Sequence, residues 1–359
     1  MTPLSKLGLA GVVLLATGCQ FFATKDRDVV QKGYRGTAME VNYVAATQAS
    51  AMADLAKKLP PILPPITGDQ PPGPSPWKNV QVLTDVSTGE FNRTMISMAT
   101  WVAGGAGNCA YCHNLADLAS DTFPDGKAIY TKAVARRMIQ MTRNINTNWV
   151  DHVGNTGVTC YTCHMGKPLP NGLWFYTNEN QILRHYLDGQ GARVVSQTIA
   201  PSNANRSSVK QTEWTWALMI SQSKSLGVNC TFCHNTRQFS SWEQAPAQRV
   251  TAYAGILMLR DLNTNYLAPL AGTYHPSRLG PMGDAPKAQC LTCHNGVYKP
   301  LYGLQMAKHY PALWGTRTDW TSPLPPKFTT PVAATAPVDT SAMPIDTAAT
   351  AAPPATRMP

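Results

Sequence analysis

Residues 135–164 read ARRMIQMTRNINTNWVDHVGNTGVTCYTCH, and the rest of the chain is organised around this stretch. It ends in a C-x-x-C-H motif whose thiols, Cys160 and Cys163, can form thioether bonds with the two vinyl groups of one haem. The histidine that follows can then bind the iron as its proximal ligand. Met138, Met141 and His152 lie upstream as candidate sixth ligands. The stretch therefore predicts a complete haem site with one ligand to spare.

The C-x-x-C-H motif occurs four times and uses eight of the nine cysteines. The motif residues are Cys109, Cys112 and His113; Cys160, Cys163 and His164; Cys230, Cys233 and His234; and Cys290, Cys293 and His294. A single copy could be a redox pair or half of a zinc site, but zinc needs thiolate pairs that close on one metal. Four copies in one chain instead predict four covalently bound haem c groups.

The ninth cysteine, Cys19, follows a lysine and an apolar run of 11 residues at positions 7–17. This arrangement is typical of a bacterial lipoprotein signal, and it predicts removal of residues 1–18 and lipidation of Cys19. Ala16 stands where such signals usually have leucine, so an ordinary signal with a free Cys19 is the alternative. Either signal predicts export, and the run is too short to span a bilayer as a helix.

Composition and motif positions divide the rest of the chain into segments. They are a lipid-anchored extended N-terminal segment at 19–78, a first haem pair at 79–170, a connector at 171–210, a second haem pair at 211–317, and an Ala/Pro-rich flexible tail at 318–359. The proline runs of the first segment favour extended backbone, with a helix at about 38–58. The tail has few charges and predicts no core of its own.

The formal net charge of +10 would favour an acidic partner if the chain bound nothing. Four haems would add about eight negative propionate groups, and cleavage of the signal would remove Lys6. The mature protein is therefore predicted to lie closer to neutrality. Since no basic run carries interleaved aromatic residues, the sequence does not indicate nucleic-acid binding.

The two haem pairs repeat the same segments. CAYCHN matches CTFCHN, CYTCHMGKPL matches CLTCHNGVYKPL, and residues 141–149 match residues 258–266. Apolar residues at helical spacing also precede each motif. The helices predicted from that spacing cover residues 90–102, 127–145, 212–226 and 247–262. We therefore expect a mainly α multihaem cytochrome c, with short helices, long irregular connections and two pseudo-symmetric halves of two haems each.

Methionines on these helices are candidate sixth ligands, although a methionine on a helix face is more often a core residue. Met219 is the sole methionine in its helix, 11 residues before Cys230. Aligning the Met-Ile-Ser triplets of the two halves selects Met95 over Met98.

The repeat also suggests a crossed ligand. Aligning the two halves at their shared arginine places Met138 opposite Gly255, whereas Met141 has a methionine counterpart. If Met138 is the ligand of its haem, the fourth haem lacks the equivalent residue, and the spare His152 is available. Gly255 would also leave room for a haem face near the backbone. We therefore expect His152 to reach the iron held by His294.

The competing assignment is bis-histidine ligation, because four histidines lie outside the motifs, at positions 152, 185, 275 and 309. Two of them lie downstream of their motifs, and the methionines would then have no role. Mixed ligation is therefore the preferred prediction. Arg136, Arg137 and Arg249, which stand early in the longer helices, are candidate partners for haem propionates.

Residues 77–315 resemble the tetrahaem cytochrome subunit bound to the periplasmic face of purple-bacterial photosynthetic reaction centres. The resemblance rests on the four motifs and on ARRM…MTRNINTNW…H…GVTCYTCH, LG-x-NCTFCHN and RDLNTNYLAPL. It implies Met95, Met138 and Met219 as ligands of the first three haems and His152 as ligand of the fourth. The lipoprotein start also matches, whereas the C-terminal tail is not part of the family pattern.

The resemblance implies an electron carrier and not an enzyme. Electrons would come from a soluble cytochrome c or a high-potential iron–sulfur protein, pass along four haems in a row, and re-reduce the photo-oxidised chlorophyll special pair. The implied partners are the L and M subunits, with the H subunit and the light-harvesting antenna nearby. The implied location is the periplasmic face of the inner photosynthetic membrane, with a lipid anchor.

Two other functions fit the sequence less well than this carrier role. A multihaem reductase would need a vacant or lysine-ligated iron, and no motif has lysine in the proximal place. A quinol-oxidising membrane cytochrome would need an N-terminal transmembrane helix, which the short apolar run at 7–17 cannot form.

Overall fold

The computed structural model describes residues 27–30, 41–68, 76–105, 108–177, 182–187, 209–235, 237–239, 241–304 and 307–315. The predicted signal at 1–18, the lipidated Cys19 and the tail at 318–359 lie outside the described residues, as do residues 188–208 of the connector.

The described part of the chain is mainly helical, which confirms the predicted fold class. Its α-helices are α1 (Ala45–Lys58), α2 (Thr88–Ala103), α3 (Tyr130–Asn148), α4 (Val150–Val153), α5 (Cys160–His164), α6 (Ile182–Leu187), α7 (Val209–Leu226), α8 (Gln248–Asp261) and α9 (Cys290–His294). A π-helical turn, Leu262–Leu267, extends α8. Turns of 3-10 helix cover Cys109–Tyr111, Gly154–Thr156, Cys230–Phe232, Ala268–Gly272, Pro276–Arg278, Pro300–Gly303, Ala307–His309 and Pro311–Leu313. The strands β1 (Arg27–Val30) and β2 (Val41–Val44) pair antiparallel.

Local capping explains where α2 begins and ends. The Ser87 hydroxyl accepts a hydrogen bond from the backbone N–H of Glu90 at 3.2 Å, which satisfies one of the free amides of the first turn. At the other end, Gly104 adopts a left-handed conformation with φ of 80°. The helix therefore covers the predicted stretch and extends it slightly at both ends.

The proline-rich segment after α1 packs on α2. Its Leu63 carbonyl accepts a hydrogen bond from Arg93 Nη2 at 2.7 Å, and its Leu63 N–H donates to the Tyr310 hydroxyl at 3.3 Å. The Arg93 guanidinium also lies over the Tyr310 ring at 4.2 Å. Residues far apart in sequence thus meet around one buried arginine, which is 4% exposed.

Two buried clusters join regions that are distant in sequence. The first cluster consists of Trp174, Leu187, Leu218, Leu259, Leu267 and Ala288. The second cluster consists of Ile145, Trp149, Val158, Met258 and Leu262, and it packs the end of α3 against α8. The helices that precede the second and fourth motifs are therefore packed together. Among the described residues, no helix has both the length and the apolar character to cross a membrane.

Candidate haem-binding site

A cavity of about 1690 Å³ brings the four C-x-x-C-H motifs together. Its walls carry both cysteines and the histidine of every motif. The four predicted sixth ligands also line it, and they are Met95, Met138, Met219 and His152. The cavity thus combines paired thiols, imidazoles and thioethers, which is the donor set that haem c requires.

The second and fourth motifs, called the helical motifs below, form the short helices α5 and α9. In each helix the threonine between the cysteines accepts a hydrogen bond from the backbone N–H of the residue before the motif, at 3.0 Å. The residue after each motif, Met165 or Asn295, is left-handed with φ of 48°. The two helices also contact each other, and the nearby Cys293 raises the pKa of the Cys163 thiol.

The first and third motifs, called the turn motifs below, begin in turns of 3-10 helix, Cys109–Tyr111 and Cys230–Phe232. The carbonyl oxygens that face their histidines lie further along the chain than those that face the histidines of the helical motifs. The Nδ1 atoms of His113 and His234 lie 3.2 Å and 3.0 Å from carbonyl oxygens five residues on. The Nδ1 atoms of His164 and His294 lie 2.9 Å and 3.0 Å from carbonyls three residues on.

All four motif histidines are prepared to bind a metal through the same nitrogen. Since Nδ1 faces a carbonyl oxygen, it carries the proton, and Nε2 keeps a free lone pair. Burial lowers the pKa of each of these histidines, and the pKa of His294 falls to about 4 through burial and the nearby His152. The imidazoles are therefore neutral at neutral pH, which is the form that ligates iron.

His152 lies across the cavity from His294, with their ring centroids 6.0 Å apart. Its Nδ1 lies 2.8 Å from the Thr251 carbonyl oxygen on α8. Gly255 makes this placement sterically feasible, because a Cβ there would lie 2.5 Å from His152 Cε1. The sequence led us to expect a haem face beside Gly255, whereas the space against its Cα holds the His152 ring. Packing of α4 on α8 brings the imidazole there.

The candidate methionines line the cavity and also pack against buried clusters. Met95 packs against the cluster around Leu83, while Met138 and Met219 pack against the cluster around Leu218. Met258 also lines the cavity, but it is the most buried of the four, at 6% exposed, and belongs to the cluster that packs α3 against α8.

Two of the remaining histidines, His275 and His309, lie away from the donor set. His275 Nδ1 lies 2.8 Å from the Ser277 hydroxyl and caps a short turn. His309 is exposed, and neither histidine is among the residues that line the cavity. The side chain of His185 is not among those described. Mixed ligation stays a prediction.

The three arginines proposed as propionate partners differ in position. Arg136 and Arg249 line the cavity, whereas Arg137 does not and instead lies over the Tyr266 ring at 4.6 Å. Arg136 pairs with Asp121 at 3.0 Å. Propionate binding stays a prediction for Arg136 and Arg249, and the geometry does not favour it for Arg137.

Two asparagines that support the helical motifs were not recognised in the sequence. Asn146 Oδ1 accepts from the backbone N–H of Val158 at 2.7 Å, and its Nδ2 donates to the carbonyl of the same residue at 2.9 Å. Asn263 makes the same pair of bonds with Ala288, at 2.8 Å and 3.0 Å. The repeated Asn-Thr-Asn triplet was the available signal, since both asparagines occupy its first position.

Paired cysteines, neutral histidines and thioether side chains around one cavity define a c-type cytochrome. The family model for the photosynthetic reaction centre cytochrome C subunit matches residues 24–184 and 179–314. The chain belongs to this family, and it therefore carries covalently bound haem c.

Curated relatives agree with this assignment. The chain is 42% identical to the photosynthetic reaction center cytochrome c subunit of Rubrivivax gelatinosus over 316 residues, which are 80% of this chain and 83% of the relative. It is 40% identical to the subunit of that name from Thermochromatium tepidum over 345 residues, 88% of this chain and 82% of the relative. The Roseobacter denitrificans subunit is 38% identical over 320 residues, 79% of this chain and 85% of the relative.

Proposed function

We propose that this chain is a four-haem electron relay that re-reduces the photo-oxidised chlorophyll special pair of a photosynthetic reaction centre. The donor would be a soluble cytochrome c or a high-potential iron–sulfur protein. The observation that carries the proposal is the convergence of four complete C-x-x-C-H motifs and four further ligand side chains on one cavity. A haem bound in such a site supplies a one-electron couple.

Each predicted site has a role for named side chains. The cysteine pairs would hold the haems covalently, and the neutral Nε2 atoms of the motif histidines would bind iron on one side. The opposite ligands would be Met95 for His113, Met138 for His164, Met219 for His234 and His152 for His294. Two protein ligands for each iron would leave no position for a substrate, which supports a carrier role over a reductase.

The geometry around His152 supports the crossed assignment. Ring centroids 6.0 Å apart leave room for one metal ion between facing nitrogens, because metal–nitrogen bonds are about 2 Å long. The nearer motif histidine in sequence, His164, would keep Met138 as its partner.

Contacts between helices support the order of the relay. Helix α2, ahead of the first motif, packs on α5 of the second motif, and α7, ahead of the third, packs on α9 of the fourth. Since α5 and α9 also touch, the proposed order is first, second, fourth and third motif. Electrons would pass most readily between haems whose motifs lie on elements in contact.

The relay would work beside its partners at the periplasmic face of the inner membrane. We propose the L and M subunits as its docking surface, with the H subunit and the antenna nearby, and lipidated Cys19 as its anchor. The domain boundaries given above, including the tail at 318–359, belong to the same proposal.

Flash-induced absorbance changes in membranes test this function. Membranes with the chain should re-reduce the oxidised special pair while a c-type α-band bleaches, and membranes from a deletion strain should lose this phase. Intact mass of the purified protein should show four haems. Stoichiometric carbon monoxide binding by the reduced protein would contradict full axial ligation and favour the reductase alternative.

A further inference from the structure

Lys132, on the first turn of α3, is buried although lysine is rarely buried without partners. The residue is 7% exposed. Its Nζ donates to the carbonyl oxygens of Leu118, Ala119 and Ser120, at 3.0, 3.0 and 2.8 Å. Asp121 Oδ1 lies 3.1 Å from the same nitrogen, but this aspartate side chain is 47% exposed, so solvent weakens its compensation of the charge.

The first of these carbonyls links Lys132 to the first motif. Leu118 O is also the acceptor that faces His113 Nδ1, at 3.2 Å. The Leu118 carbonyl oxygen therefore accepts hydrogen bonds from both the Lys132 ammonium and the His113 imidazole. The ammonium thus holds in place the loop segment on which the orientation of the His113 ring depends.

We propose that Lys132 is a positioning residue for His113 and that it raises the reduction potential of the first haem, an assignment that rests on the proposed function. Donation from Nζ draws electron density from Leu118 O, which makes this oxygen a weaker acceptor for the Nδ1 proton. The imidazole then gives less charge to iron. The buried positive charge favours the reduced state in the same direction, because it is poorly screened.

The third motif repeats the arrangement with a different side chain. Alignment of the two halves places Arg249 at the position of Lys132. Its guanidinium donates to the Ser241 carbonyl, in the loop whose Phe239 carbonyl faces His234 Nδ1 at 3.0 Å. A cation on the first turn of the following helix thus holds the loop beyond both turn motifs.

Redox titration of the full-length protein with Lys132→Met tests the role. We expect one of four midpoint potentials to fall, by about 59 mV for a tenfold change in the equilibrium constant, and three to stay unchanged. Lys127→Met is the matched control, because its side chain is 81% exposed and its ammonium pairs with Asp125, two residues earlier in the chain. Lys132→Arg, which keeps the charge, should stay nearer the wild type.

The haem that responds is identified by Met95→His, since a second histidine lowers the potential of its own haem. The same component should shift in both variants. A shift in a different component, or equal shifts for Lys132→Met and Lys127→Met, would overturn the assignment.

If Lys132→Met does not fold, Asp121→Asn tests the same role. Removing the partly compensating carboxylate should raise the potential of the haem that Met95→His identifies. An unchanged or lower potential would count against the role. Intact mass separates the two proposals. Fewer than four haems in the wild type would overturn the proposed function and, with it, this assignment. Four haems with no change of reduction potential in either variant would overturn the role of Lys132 alone.

Discussion

The helical motifs and the turn motifs contain the same C-x-x-C-H pattern but obtain their structure from different neighbours. In the helical motifs a buried asparagine upstream fixes the backbone two residues before the first cysteine, and the motif continues as a capped α-helix. In the turn motifs the histidine depends on a loop downstream, which a basic side chain holds in place. The same local sequence is therefore held in place by an upstream asparagine in one class and by a downstream loop in the other.

This difference suggests how each class responds to damage. The helical motifs contact each other and lie against buried clusters. Loss of a contact there should therefore destabilise the packing of the core. The turn motifs are more exposed, and their support comes mainly from hydrogen bonds to loop carbonyls. We expect changes near helical motifs to cost stability and changes near turn motifs to alter redox potential.

Asn263→Ala should have the largest effect on stability. It leaves the backbone N–H of Ala288 and the carbonyl of Leu187 without their side-chain partner, in a site where Asn263 is 1% exposed, while the Ala288 carbonyl keeps its hydrogen bond from Trp174 Nε1. We expect a loss of about 2–4 kcal/mol, since each buried unpaired group costs about 1–3 kcal/mol. Denaturant unfolding of the holoprotein measures this loss. Thr264→Ala, at an exposed position of the same triplet, is the control and should cost little.

Gly255→Ala should be next in size, because the new Cβ would lie 2.5 Å from His152 Cε1. Overpacking of this kind typically costs about 1–3 kcal/mol. The displaced imidazole should also produce a high-spin or altered low-spin signal for one haem in electron paramagnetic resonance. Gly272→Ala is the matched control, since a Cβ there has nothing within 4 Å. Identical spectra for both variants would contradict the crossed ligand.

His152→Met should change the potential of one helical-motif haem with a smaller effect on stability. Methionine in place of the second histidine should raise that potential and leave the other three nearly unchanged. Near-infrared magnetic circular dichroism should change from three Met/His haems and one His/His haem to four Met/His haems. Four Met/His haems in the wild type, or a shift of the haem attached at Cys160, would show that the assignment is wrong.

Thr162→Val should have the smallest effect, because it removes one capping hydrogen bond while keeping the shape of the side chain. The lost bond is the one from the Thr159 N–H at 3.0 Å. Loss of a cap costs about 1 kcal/mol, and the denaturant midpoint should fall accordingly. The potentials of the turn-motif haems should not move. A shift there would mean that the two classes are not independent.

Much of the site could be predicted because its candidate ligands occur in short sequence motifs. Spacing alone predicted the cysteine pairs and their histidines, Met219 was chosen as the sole methionine of its helix, and the repeat selected Met95 and the unmatched Gly255. The helices also follow the predicted segments, since apolar spacing and local caps act over a few residues. Lys132 was not predicted, because its carbonyl partners are 12–14 residues away and carry no side-chain signal.

The sequence by itself determined the class of protein and the mainly helical fold, and it predicted the covalent attachment sites, because each of these depends on neighbours within one or two turns. Only the tertiary structure decided which elements meet. It placed His152 against Gly255 and 6.0 Å from His294, brought the thiols of Cys163 and Cys293 together, and buried Lys132 under a loop. Such contacts depend on how buried clusters pack helices from distant parts of the chain, and periodicity does not encode that packing.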